Sequence, residues 1–224
     1  MKFTLKGIQT EIDDVLAGFI EIDDGYFKGL MQESFDVIGH DNPYYSVFYD
    51  LAFQLKPTFV VELGSWRGFA AASFAFGNPK ARVVTIDIHR EDKIAQQRCI
   101  QIAKDIPNMT YINAWTWDAV TDVEAIGFPI DILFIDAWHE YKYAKKDWEL
   151  YSPLLNDSAL VICDDIMDAE GATVDMIKFW EELPGPKFLN DKIHSGIPMG
   201  FYKFTRVPYK KFKKVSNESY NSST

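Results

Sequence analysis

The sequence predicts an α/β protein built on a doubly wound, mostly parallel sheet of seven strands, with a helical cap at the N-terminal end. Two observations predict it. Short, β-branched apolar runs alternate with helix-like stretches from residue 58 to about residue 183, the order that winds a parallel sheet. The runs themselves read as strands buried on both faces.

Residues 1–40 mix acids with apolar residues, and Ile12, Val15, Leu16, Phe19 and Ile20 recur at helical spacing. A second short helix is expected over residues 26–37. This region, bounded at residue 42, is expected to cap the main domain. Pro43 suits the first turn of the next helix, which should end near Pro57. Strands are then expected at residues 59–63, 82–88, 110–113, 130–135 and 158–163, with helices at 69–76, 94–104, 141–154 and 172–183. Two final strands are expected at 187–189 and 200–205. Residues 206–224 carry Lys210, Lys211, Lys213 and Lys214 before a Ser/Asn-rich end and read as a solvated tail.

The bulk numbers bound the function. At 224 residues, 47% apolar and 25% charged, one α/β domain with added elements is the natural size. The net charge of −10 argues against a nucleic-acid partner, because phosphates are repelled on average. Cys99 and Cys163 form no CxxC pair, so structural zinc and redox motifs lack support, and a reducing, cytoplasmic setting is expected. No apolar run reaches the length of a membrane span, and residues 1–10 hold no apolar signal core.

The first strand ends in Val60-Val61-Glu62-Leu63-Gly64-Ser65-Trp66-Arg67-Gly68. Ligands of doubly wound sheets bind beyond the carboxyl ends of the strands, where glycines allow a sharp turn and a close approach. This turn is ExGxxxG, with Trp66 where a dinucleotide fingerprint has its middle glycine, so a pyrophosphate is not the expected ligand. Glu62 suits a cationic group. Asp87 ends the second strand about 20 residues on, the place of an acid that holds ribose hydroxyls. An acid for an ammonium and an acid for a ribose describe an amino-acid nucleoside, and S-adenosylmethionine meets both requirements.

On these residues the chain resembles the class I S-adenosylmethionine-dependent methyltransferases over residues 43–205. The resemblance implies a Rossmann-like sheet whose last strand is antiparallel. It implies cofactor contacts at Glu62, Gly64, Ser65, Gly68, Asp87, Ile88 and Asp136. It places the adenine end near Trp115, where an acid is the commoner residue.

The run Asp131-Ile132-Leu133-Phe134-Ile135-Asp136-Ala137-Trp138-His139 delivers Asp136 and His139 to the same edge, and the fifth strand delivers Asp164 and Asp165. Neighbouring parallel strands lie close enough for the three carboxylates to converge. Convergent acids raise one another's pKa values, and a divalent cation, Mg²⁺ first among oxygen-liganded ions, would relieve them. This stretch resembles the metal-dependent, catechol-type O-methyltransferases. The resemblance implies metal ligands at Asp136, Asp164 and Asp165, with Asp165 standing where Asn is usual. His139 takes the position of the catechol enzymes' lysine, as general base. The expected partner is a small-molecule acceptor; a homodimer is compatible with the sequence, which does not fix the oligomeric state. The rival readings are a different enzyme on the same fold, such as a hydroxylase, or a nucleoside-binding module without turnover. His89 and Arg67 are lesser candidates for the cofactor pocket, and His194 for its rim; His40 reads as a loop residue.

Overall fold

A computed structural model of the chain describes residues 25–38, 43–166, 174–190 and 199–204. Among them, two helices precede the sheet, α1 (Gly25–Ile38) and α2 (Pro43–Leu55). Five strand–helix units follow: β1 (Phe59–Leu63) and α3 (Phe69–Gly77), β2 (Arg82–Ile86) and α4 (Lys93–Asp105), β3 (Met109–Ile112) and α5 (Val120–Ala125), β4 (Ile130–Ile135) and α6 (Tyr141–Tyr151), β5 (Leu155–Cys163) and α7 (Val174–Glu182). The strands β6 (Lys187–Asn190) and β7 (Met199–Lys203) complete the sheet. The helix expected around Ile12, the rim residue His194, the loop residue His40 and the basic tail lie outside the described residues.

The seven strands lie in the order β3-β2-β1-β4-β5-β7-β6. β7 runs antiparallel to both β5 and β6, and the remaining pairs are parallel. Successive side chains of a strand point to opposite faces, so each central strand feeds two cores. Val60, Val83, Phe134 and Ile162 face α2, α3 and α4. Val61, Val84, Leu133 and Val161 face α5, α6 and α7. On the first face, Phe48 of α2 stacks on Phe74 of α3 at 4.7 Å and tilts against Phe134 of β4 at 5.0 Å, pinning both helices to the middle of the sheet. α1 joins this layer through the ion pair between Glu33 and Arg98 of α4.

β2 and α6 end two and three residues earlier than expected, and two further elements differ in kind. β5 begins at Leu155, three residues before the apolar run, because Leu155 pairs with Ile130 across an irregularity in the β4–β5 register. Ladder pairing, not apolar character, sets that strand's start. α5 is only six residues long, too short for its periodicity to stand out in the sequence.

The order of strands reverses between β1 and β4. A doubly wound sheet opens a crevice at such a switch point, beyond the carboxyl ends of the two strands. Backbone bonding continues one residue past the strand ends there. Gly64 N–H donates to Ile86 O, Asp87 N–H to Ile112 O, Asp136 N–H to Leu63 O and Asp164 N–H to Ile135 O. These four bonds line up Asp87, Gly64, Asp136 and Asp164 along one edge.

Candidate active site

The β1 turn is built for close approach. Gly64 has φ +97°, and a Cβ there would stand 2.0 Å from the carbonyl oxygen of Asp136. Only glycine lets the ends of β1 and β4 sit this near one another. Asp87 closes the turn from the side. Its Oδ2 accepts the N–H groups of Ser65 and Trp66, each at 3.0 Å, and its Oδ1 accepts the N–H of His89 at 2.9 Å. The expected ribose acid therefore clamps the glycine turn and keeps one acceptor position of Oδ1 for a ligand.

Beside the turn lies a cavity of about 680 Å³, bounded by Gly64, Asp87, Ile88, Trp115, Asp136 and His139 among others. Trp66 and His89, both in the left-handed backbone region, share its wall, and His89 Nε2 is bonded to the Trp66 carbonyl. The Nδ1 of the same ring pairs with the Tyr111 hydroxyl at 2.8 Å. Such paired backbone outliers persist where surrounding contacts over-determine them, and they gather at ligand sites. Trp115, Trp117 and Trp138 add an aromatic side to this cavity; Trp115 stacks on Trp117 at 4.8 Å, and Trp138 lies 5.7 Å from Trp115.

The loop that carries Trp115 and Trp117 is tied down from α6. Thr116 Oγ1 donates to Asp147 Oδ1 at 2.5 Å, and the Tyr151 hydroxyl donates to the Thr116 carbonyl at 2.6 Å. Asp147 is 1% exposed. Burial pushes its carboxyl up to about 6, against the opposing pull of the Thr116 hydrogen bond and Lys146. A folded-state pKa above the unfolded value means the native state binds the extra proton, so this group's contribution to stability falls as pH rises from about 4 through 6. Urea unfolding at pH 5 and pH 8 is therefore expected to show Asp147→Asn losing less stability than the parent over that interval, by about 1–2 kcal/mol. Parallel losses in the two proteins would show that Asp147 is ionised at no cost.

A second cavity of about 60 Å³ shares Gly64, Trp66 and Asp136 with the first and is lined also by Tyr45, Glu62, Ser65 and Asp164. Glu62 is 1% exposed. Its Oε2 accepts the Thr85 hydroxyl at 2.5 Å, while burial holds its carboxyl well above the usual range. The expected ammonium partner thus sits beneath the turn, on the wall of the smaller space.

Three acidic groups and an imidazole meet at the far side of Asp136. His139 Nε2 stands 3.2 Å from Asp136 Oδ1, and its Nδ1 stands 2.8 Å from Asp165 Oδ2. Burial works against charge on this ring, but the hydrogen bonds to Asp136 and Asp165 and their negative charge outweigh it and push the imidazolium up to about 10. Asp164 is held well above the ordinary carboxylate range by burial and by the charges of Asp136 and Asp165. Its Oδ1 is buried without a hydrogen-bond partner. Among the described residues, Asp136, His139 and Asp164 form a candidate metal-binding group, each offering an atom within 4.8 Å of the others.

The structure brings most of the expected residues to these two cavities and leaves two of them, Gly68 and Asp165, apart. Gly68 lines neither cavity: it has φ +85° ahead of α3, and a Cβ there would meet Cys99 Sγ and Met109 Cε at 3.2 Å, so it serves the turn and the packing behind it. Asp165 is absent from the metal-binding group, because its carboxylate is turned onto His139; the imidazole stands in the group instead. Glu62, Gly64, Ser65, Asp87, Ile88, Trp115, Asp136, His139 and Asp164 all line one or both cavities. Sequence reasoning missed Tyr45, Trp117 and Trp138. Trp138 stands between Asp136 and His139, but nothing in a sequence tells which way a loop tryptophan turns.

Comparison with known proteins agrees with this geometry. The family model of a methyltransferase domain matches residues 61–166, the segment from β1 to just past β5. No curated protein matches the chain in sequence. The fold is shared with solved structures at low identity. An O-methyltransferase from Bacillus cereus, solved in complex with SAH, is 15% identical, and the match covers 88% of this chain and 100% of that one at a TM-score of 0.65. TomG from Streptomyces achromogenes, an O-methyltransferase of tomaymycin synthesis solved with SAM, is 14% identical, with 91% and 100% covered and a TM-score of 0.64. The SAH-bound methyltransferase PaMTH1 of Podospora anserina is 16% identical, with 89% and 97% covered and a TM-score of 0.60. Residues 61–166 are thus similar to a methyltransferase domain. More particularly, its seven-stranded sheet has the fold of solved methyltransferases, some of them bound to SAM or SAH. No described helix is long and apolar enough to cross a membrane.

Proposed function

We propose that the protein transfers the methyl group of S-adenosylmethionine to a hydroxyl oxygen of a small-molecule acceptor, with a divalent cation at the acidic cluster. The observation that carries this reading is that Asp136 belongs at once to both cavities and to the metal-binding group. The aromatic side of the larger cavity, with Ile88 and Trp138, suits a flat adenine, and the free acceptor position of Asp87 suits a ribose hydroxyl. The smaller space, lined by Glu62 and Asp136, suits the methionyl ammonium. Asp136, which lines both spaces, would hold the middle of a nucleoside laid across them.

The fit to a cation is supported by the orphaned Oδ1 of Asp164 and by the crowding of the acids, since each raised carboxyl is a group in want of positive charge. When bound, the cofactor supplies an electrophilic sulfonium methyl and the cation makes an acceptor hydroxyl more acidic. The chain's own part is to hold the two reactants in line and to take the hydroxyl proton within the Asp136–His139–Asp164 cluster, where the sequence pointed to His139 as the base. The neighbours described as O-methyltransferases support oxygen as the acceptor atom.

Mass spectrometry of the denatured, freshly purified protein is expected to find S-adenosylmethionine or its demethylated product. Calorimetric titration with that product is expected to show binding weakened about 10–100-fold by Asp87→Ala, the loss of charge-assisted hydrogen bonds. A protein that takes up neither nucleoside would end the proposal. Tight uptake with no turnover on a broad panel of catechols, sugars and other hydroxyl acceptors would favour a binding module or another chemistry on this fold.

A further inference from the structure

We infer that the cation at this site takes His139 Nε2 as a ligand beside Asp136 and Asp164, and that Asp165 grips the imidazole from outside without touching the metal. The inference rests on the cation of the proposed function, changes which residues hold it and moves the role of base from His139 to the carboxylates around it, because a ring with Nε2 on the metal and Nδ1–H on Asp165 has no lone pair left for a proton.

Three independent features point the same way. The candidate ligand atoms of Asp136, His139 and Asp164 all lie within 4.8 Å of one another, the span of a single coordination sphere. Asp164 is 8% exposed, and its Oδ1 has no hydrogen-bond partner, so the group lacks a positive centre that a cation would supply. Finally, Asp165 Oδ2 lies 2.8 Å from His139 Nδ1. A metal-bound histidine nearly always gives its other ring N–H to a carboxylate, a backbone carbonyl or water, which fixes the tautomer and makes the ligating nitrogen more basic. Asp165 is placed for that role, and its backbone is in the left-handed region, φ +54°, as its side chain reaches the ring. With Nδ1 protonated towards Asp165, the lone pair of Nε2 falls on the side of Asp136. The 3.2 Å contact between Nε2 and Asp136 Oδ1 is then the edge of a coordination sphere.

The donor set decides the ion. Three carboxylates form a hard, all-oxygen site suited to Mg²⁺ or Ca²⁺. One imidazole with two carboxylates suits ions that accept nitrogen, such as Mn²⁺, Fe²⁺, Co²⁺ or Zn²⁺. A preference for Mn²⁺ over Mg²⁺ should follow, with His139 as its source.

The test uses Mn²⁺ alone on the full, metal-stripped chain. Electron spin-echo modulation of the Mn²⁺-loaded protein is expected to show a directly bound ¹⁴N, changing to the ¹⁵N pattern when histidine is supplied as ¹⁵N-histidine. His139→Gln is expected to lose the nitrogen signal and to bind Mn²⁺ about 10–100-fold more weakly, and Asp165→Asn to keep the signal with affinity lowered by a comparable factor. His139→Asp should lose the nitrogen signal and narrow the Mn²⁺ preference over Mg²⁺. Bound Mn²⁺ with no nitrogen signal, or a signal that survives His139→Gln, would overturn the inference and leave a cation site of oxygens. Absence of Mn²⁺ binding would overturn it together with the cation, whereas titration of the same sample with S-adenosylhomocysteine tests the methyltransferase reading on its own.

Discussion

Asp136→Ala is expected to lower the rate of methyl transfer about 10³-fold at saturating cofactor, without destabilising the fold. The size follows from position. Asp136 belongs to both cavities, sits at the switch point of the sheet and pairs with His139 Nε2 at 3.2 Å. Its loss removes a charge from the spot where the proposed reaction would bring sulfonium, acceptor oxygen and cation together, and preorganised charges at reacting centres are commonly worth a factor of 10²–10³. The stability argument has the opposite sign. Asp136 is one of the charges that hold Asp164 above its ordinary range, so removing it relieves repulsion among buried acids. Single-turnover kinetics and thermal unfolding at pH 7.5 check both halves. A rate within about tenfold of the parent would remove Asp136 from the chemistry, and a large fall in melting temperature would make it a structural residue.

Gly64→Ala is expected to cost about 3 kcal/mol or more, or to prevent folding, and to abolish cofactor binding in whatever protein remains. Two penalties combine. The backbone there, at φ +97°, is one that side chains rarely adopt, and the added Cβ would fall 2.0 Å from Asp136 O, 2.5 Å from its carbonyl carbon and 2.8 Å from Ala137 Cα. All three are backbone atoms, so no side-chain rotation relieves the overlap. Both strand ends are also fixed, Gly64 N–H on Ile86 O at 2.9 Å and Asp136 N–H on Leu63 O at 2.8 Å. Strain of each kind is worth one to several kcal/mol. Relief requires β1 and β4 to part at the edge where the nucleoside would lie. Chemical denaturation and titration with S-adenosylhomocysteine check this. A variant as stable as the parent that still binds the nucleoside would show that the turn is looser than its contacts imply.

Much of this protein was decided locally. The β-branched runs at 59–63 and 130–135, separated by helix-length stretches, determine a parallel doubly wound sheet, because strands of that kind need cover on both faces. The same local logic placed Gly64, Asp87, Asp136 and Asp164, since a strand delivers the residue after its last apolar position to the sheet's edge. What the tertiary structure alone decided is direction and pairing. Asp87 turns its carboxylate onto the Ser65 and Trp66 amides, Trp115, Trp117 and Trp138 converge from two different loops, and Asp165 turns its carboxylate onto the His139 ring. Spacing along a chain tells which residues arrive at an edge. Rotamers, left-handed turns such as that at Asp165 and the mutual repulsion of carboxylates determine which of them face one another, and these depend on neighbours that are remote in sequence.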